Sequence, residues 1–158
     1  CTLVPDSVSQ ATSDHGWDLT KDARTLEPSI ARLHAVRCRV SLFLDAVPDS
    51  MRLARELGAD RVELYTEPYA AAFARGEWGT SLHAFEAAAR AAVEAGLGVN
   101  AGHDLNLANL GPFLAAIPDV LEVSIGHALI ADAIELGLRE TVHRYLVIAS
   151  GVATNGRP

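Results

Sequence analysis

The stretch Val40-Ser-Leu-Phe-Leu-Asp-Ala-Val-Pro-Asp-Ser-Met-Arg-Leu-Ala-Arg-Glu-Leu-Gly-Ala-Asp-Arg-Val-Glu-Leu-Tyr-Thr66 contains one complete strand–helix–strand unit. Val40 to Asp45 is rich in β-formers and apolar at most positions, which suits a strand buried on both faces. Pro48 and Asp49 then open a helix whose apolar residues are Met51, Leu53, Ala54 and Leu57, and Gly58 stops it. Arg61 to Thr66 is the next strand. The spacing suits a right-handed crossover between two parallel neighbours.

The same alternation continues on either side. After Thr66 a longer connection through Pro68, Tyr69, Gly76 and Gly79 leads into a helix from about Ser81 to Ala95, with a buried stripe of Phe85, Ala88, Ala89, Ala92 and Val93. Gly98 to His103 forms a third strand. The helix after it must begin near Asn109, because Pro112 is tolerated only in a first turn. Glu122 to His127 forms a fourth strand, followed by a helix from Ala128 to Leu136, a break at Gly137 and a second amphipathic stretch to about Ala149. Ser150 to Pro158 reads as a frayed, disordered tail. At the front, Thr2-Leu3-Val4-Pro5 reads as the end of a buried strand, and Cys1 in place of Met puts the expected natural start upstream. Strand starts at Val40, Arg61, Gly98 and Glu122 lie 21, 37 and 24 residues apart. This is an α/β pattern of successive strand–helix units, and a closed barrel and an open doubly wound sheet both satisfy it.

With 158 residues, 49% of them hydrophobic, the chain can bury one core but falls short of the roughly 200 to 250 residues of a complete α/β barrel. One domain over 1–149, or part of one, is the expectation. A net charge of −7 with a single lysine, Lys21, gives no basic field for nucleic acid or an anionic membrane. Cys1 and Cys38 match neither a metal-ligand spacing nor a disulfide framework, which fits a reducing, cytoplasmic setting. No run approaches the ~18 to 20 apolar residues of a membrane span.

Chemistry concentrates where strands end, the usual place for ligand sites in α/β folds. Gly102-His103 and Gly126-His127 each set a histidine, able to move a proton near neutral pH, after a glycine that lets a ligand approach the backbone. Each step also leads toward a helix N-terminus, where free N–H groups favour phosphate. Either histidine alone reads as well as a hydrogen-bonded structural group, but the repetition favours chemistry. Asp45 and Glu63 read more readily as barrel-end caps or solvated carboxylates than as catalysts. His15, His34, His83 and His143 fall in loop or helical patterns and read as surface residues, while Trp17 and Trp78 read as core or interface filler. Lys21, in a polar segment, is no Schiff-base nucleophile. Neither GxGxxG, GxxxxGK[ST], HExxH nor HxH occurs, which favours chemistry without a metal or organic cofactor.

Four blocks together carry a resemblance: Val40 to Asp45, Glu63-Leu-Tyr-Thr66 with Tyr69-Ala70, Val99-Asn-Ala-Gly-His-Asp-Leu105, and Glu122-Val-Ser-Ile-Gly-His-Ala-Leu-Ile-Ala131. In order and spacing they resemble consecutive blocks of bacterial pyridoxine 5′-phosphate synthase. Cys1 to Pro5 with Thr12-Ser13-Asp14 and Gly16-Trp17-Asp18 is similar to that family's fourth strand and its following loop, although His15 stands where the family often has glycine. The resemblance runs from Cys1 to about Leu146 and implies a TIM (β/α)8 barrel, here from about strand 4 to strand 8. It implies a transferase that condenses 1-deoxy-D-xylulose 5-phosphate with 3-amino-2-oxopropyl phosphate to pyridoxine 5′-phosphate, phosphate and water, with no cofactor or metal. His103 then corresponds to the proton donor and Asp104 to a phosphate-site backbone position. Gly126 and His127 correspond to the substrate and product phosphate site, and Thr12 to the loop contact with the deoxyxylulose phosphate. Small phosphorylated substrates and a homo-octamer are the implied partners. The proton-accepting histidine and glutamate of the family's first three strands have no counterpart in this sequence. The alternative is a catalytically incomplete half barrel that binds phosphate or oligomerises.

Overall fold

The apolar runs pair edge to edge in the order in which they occur along the chain. The computed structural model describes residues 1–153, and its strands are β1 (Thr2–Leu3), β2 (Ser41–Leu44), β3 (Arg61–Tyr65), β4 (Gly98–Gly102) and β5 (Val120–Ser124). All four pairings are parallel, in the sheet order β1-β2-β3-β4-β5. A doubly wound sheet has a point where the strand order reverses, and the described strands have none. With right-handed crossovers this order puts the connecting helices on one face.

Between the strands lie α1 (Leu19–Ala35), α2 (Pro48–Glu56), α3 (Glu67–Ala74), α4 (Trp78–Glu94) and α5 (Leu110–Ala116), with α6 (His127–Leu136) and α7 (Leu138–Ala153) after β5. The sheet register explains what each strand face does. Leu42, Val62 and Val99 are aligned, as are Leu44, Leu64 and Ala101. All six join one buried cluster with helix residues such as Leu26, Met51, Phe85 and Phe113. The alternate rows, Ser41-Arg61-Gly98 and Phe43-Glu63-Asn100-Glu122, face the other way, as a side-chain period of two requires. That face is polar: Arg61 Nη1 donates to Asn100 Oδ1 at 2.9 Å and to Glu122 Oε2 at 3.1 Å.

Several expectations need correction. The segment after Asp18 is a 17-residue helix, capped by the Asp18 side chain accepting from Thr20 N–H, with Leu19, Leu26 and Ile30 buried and Pro28 inside it. The connection after Thr66 contains α3, since Pro68 sits in its first turn, where no donor is needed, and Gly76 at φ +76° follows its end. α4 starts at Trp78 rather than Ser81, and Val93 is exposed rather than buried, the stripe running through Leu82, Phe85, Ala88, Ala89 and Ala92. β5 begins two residues early, so His127 opens α6 rather than ending a strand. Ser150 to Ala153 continue α7, and the remainder of the expected tail, 154–158, lies outside the described residues. Trp17 and Trp78 both pack against the core. No described helix is long and apolar enough to cross a membrane.

Candidate active site

At the C-terminal end of β4 the chain turns sharply, and the turn aims a histidine. His103 has φ +88°, a conformation that side-chain-bearing residues rarely adopt. Its N–H donates to Ser124 O of β5 at 3.1 Å. Its ring touches three others: Tyr65 edge-on at 5.9 Å between centroids, Phe43 at 6.3 Å and His127 edge-on at 6.2 Å. Nδ1 lies 2.7 Å from Asp104 Oδ2, and Nε2 lies 2.8 Å from Thr12 Oγ1. The Asp104 carboxylate accepts from Nδ1–H, which leaves Nε2 to face Thr12.

Thr12 reaches His103 from an exposed loop between β1 and α1, which a close backbone approach anchors. Gly16 is buried against β2, where a Cβ would meet Asp45 N at 2.3 Å and the Leu44 carbonyl carbon at 2.6 Å, so no side chain fits. Around it Trp17 N–H donates to Phe43 O at 2.9 Å, Trp17 Nε1 to Leu3 O at 2.9 Å and Gly16 N–H to Asp45 Oδ1 at 3.2 Å. Asp45 is thus an exposed anchor for this loop. His15 is exposed and paired with Asp14, which raises its pKa.

On the other side of His103 an open cleft is lined by Glu63, Ser124, Gly126, His127 and Ile130. Gly126 occupies the N-cap position of α6 with no side chain capping the helix, and nothing lies within 4 Å of where its Cβ would be. The first-turn N–H groups of α6 therefore open onto the cleft, an arrangement that suits an anion. The Asp104 N–H donates to Thr66 Oγ1 at 3.3 Å, and its carboxylate meets the site through His103.

Glu63, left undecided from sequence, is buried at the base of the cleft. Burial raises its pKa, opposed by the hydrogen bond that Thr2 Oγ1 donates to Oε2 at 2.8 Å and by His103. Gly102 makes room for it, since a Cβ there would lie 2.7 Å from Glu63 Oε1 and 2.7 Å from Ser124 O. Thr2, Thr66 and Ser124 were not singled out by the sequence. For Thr2 and Ser124 the available signal was alternation, since polar residues at every second position of a strand mark the face that helices leave uncovered, whereas Thr66 lies past the end of β3 and outside that alternation. Among the described residues no group of three or more His, Cys, Asp or Glu side chains is placed to hold a metal ion.

The family model described as Pyridoxal phosphate biosynthesis protein PdxJ matches residues 1–150. The chain belongs to this family. It is 60% identical over 151 residues to a pyridoxine 5′-phosphate synthase of Albidiferax ferrireducens, covering 95% of this chain and 60% of that relative. It is 56% identical over 153 residues to one from Xanthomonas campestris pv. campestris, covering 97% and 60%, and 57% identical over 150 residues to one from Xanthomonas oryzae pv. oryzae, covering 95% and 59%. The chain thus spans about three fifths of the length of these relatives.

Proposed function

We propose that this chain supplies the proton donor and a phosphate site of a pyridoxine 5′-phosphate synthase, which joins 1-deoxy-D-xylulose 5-phosphate to 3-amino-2-oxopropyl phosphate and releases pyridoxine 5′-phosphate, phosphate and water. The observation that carries the reading is the His103 imidazole, held by Asp104 at Nδ1 and edge-on to the ring of His127, beside an uncapped helix N-terminus at Gly126-His127. Ring closure expels oxygen leaving groups, and an imidazolium proton on Nε2 neutralises the departing oxygen. Thr12 occupies that nitrogen at 2.8 Å, and its place on an exposed loop lets it swing from His103 to a substrate hydroxyl. Phosphate held at the first turn of α6 by backbone N–H groups needs no lysine or arginine there.

The sheet is read in the same proposal as part of a (β/α)8 barrel. A match of 151 residues that covers 60% of the Albidiferax relative implies about 250 residues for it, the usual size of such a barrel. Both edge strands fit: β1 and β5 each have one unpaired side, and Leu121, Ile130, Ile134 and Leu138 are exposed beside or beyond β5. Assembly into a homo-octamer in the cytoplasm belongs to this proposal too, supported by the resemblance. The direct test is conversion of the two phosphorylated substrates by the protein carrying this chain, followed by mass detection of pyridoxine 5′-phosphate. Phosphate binding without product would favour the non-catalytic alternative.

A further inference from the structure

We propose, on the reading of His103 as the proton donor, that Thr66 is its positioning residue: one buried hydroxyl clamps the backbone on both sides of the histidine. Thr66 is fully buried, and its Oγ1 donates to Gly102 O at 2.5 Å while accepting from Asp104 N–H at 3.3 Å. A hydroxyl has one proton and two lone pairs, so both bonds form together. They bracket His103, whose φ of +88° has to be enforced from outside.

A second observation shows that this hydroxyl is committed to β4 rather than to its own segment. Thr66 is the N-cap residue of α3, the position at which threonine usually turns its oxygen on the first-turn N–H groups, yet it makes no cap bond. The same helix braces the far end of the turn. Tyr69 Oη donates to Asn109 O at 2.8 Å, and Asn109 Nδ2 donates to Asp104 O at 3.2 Å. α3 therefore grips the 102–109 segment at two points, of which Thr66 is the one adjacent to the imidazole. Loss of its hydroxyl frees the Gly102–Asp104 peptide units to relax, and Asp104 then no longer aims Nδ1.

The test compares Thr66→Val, which keeps the shape and loses the hydroxyl, with Thr66→Ser, which keeps the hydroxyl and loses a methyl group. Product formation is measured as kcat, KM and pH profile, and the His103 imidazole is titrated by nitrogen NMR. Thr66→Val should lower kcat roughly 10- to 100-fold with KM within about 3-fold, the pattern of a misaimed group rather than lost binding. The imidazole titration midpoint should move with it, and Thr66→Ser should stay close to the parent on every readout. A Thr66→Val protein with parental kcat and an unmoved imidazole titration overturns the clamp. So does a Thr66→Ser protein as impaired as Thr66→Val, because packing would then be the cause. If Thr66→Val does not fold, Thr66→Ala against Thr66→Ser makes the same comparison with less volume, and equal behaviour of the two overturns the clamp. A parent that makes no pyridoxine 5′-phosphate defeats the proposed reaction instead, and the imidazole titration still decides the role of Thr66.

Discussion

An alanine at position 16 would place its methyl carbon 2.3 Å from Asp45 N and 2.6 Å from both the Leu44 Cα and carbonyl carbon. All three are backbone atoms at the end of a central strand, so they cannot swing aside as a side chain would, and the loop before α1 must lift off β2 instead. Three hydrogen bonds hold it there: Trp17 N–H to Phe43 O, Trp17 Nε1 to Leu3 O and Gly16 N–H to Asp45 Oδ1. At a net worth of roughly 0.5 to 1.5 kcal/mol each, their loss amounts to about 1.5 to 4.5 kcal/mol. For a chain of this size that corresponds to a drop in melting temperature of roughly 3 to 18 °C. Gly79→Ala is the matched control. Gly79 lies in α4 with nothing within 4 Å of its would-be Cβ, so alanine there should raise stability by up to about 1 kcal/mol. Thermal melts followed by circular dichroism, with limited proteolysis of the 4–18 loop, compare the two. A Gly16→Ala protein that melts within ~1 °C of the parent and resists cleavage equally well would show that the loop relieves the contact without detaching, and the anchoring account would fail.

The remaining predictions concern the site. His103→Asn in the protein should lower kcat by roughly 10²- to 10⁴-fold with a smaller change in KM, and a folded variant with unchanged kcat returns His103 to a structural role. Gly126→Val should weaken phosphate and pyridoxine 5′-phosphate binding in calorimetric titration, because the side chain enters the open space over the first turn of α6; His103→Asn should largely spare phosphate binding, and normal affinity in Gly126→Val would place the anion elsewhere. Glu63→Gln tests the buried carboxyl, whose pKa burial raises. An acid with a raised folded-state pKa contributes stability that is full below its unfolded value and is lost as pH rises through the folded one. Glutamine does not ionise, so its stability advantage should be near zero below about pH 4 and grow toward neutral pH; denaturation midpoints for the pair that stay parallel from acid to neutral pH contradict this.

How much of this was visible in the sequence depended on how local the cause was. Strands β2, β3 and β4 were legible because each apolar run is bounded by its own turn residues, and the two histidines stood out because a glycine precedes each of them. α1 was hidden by Pro28 in its middle and by a polar outer face, although Leu19, Leu26 and Ile30 lie on one side of it. α3 was hidden by Pro68, which marks a first turn as easily as a loop. Glu63 and Thr66 were undecidable for a different reason. Their partners come from other strands, Thr2 on β1 being 61 positions from Glu63 and Gly102 on β4 being 36 from Thr66. No local pattern signals that a hydroxyl will reach across the sheet instead of capping the helix it precedes.

The unlike faces of β3 also bear on how the sheet finds its alignment. A slip of one residue against either neighbour would turn Arg61 and Glu63 toward the helices and leave Val62 and Leu64 on the polar side. A guanidinium carried into that apolar layer away from Asn100 and Glu122 costs several kcal/mol, more than a short strand recovers by pairing out of step. The row that lines the candidate site therefore serves as an assembly check, because a misaligned sheet cannot be sealed by its helices without stranding a charge beneath them.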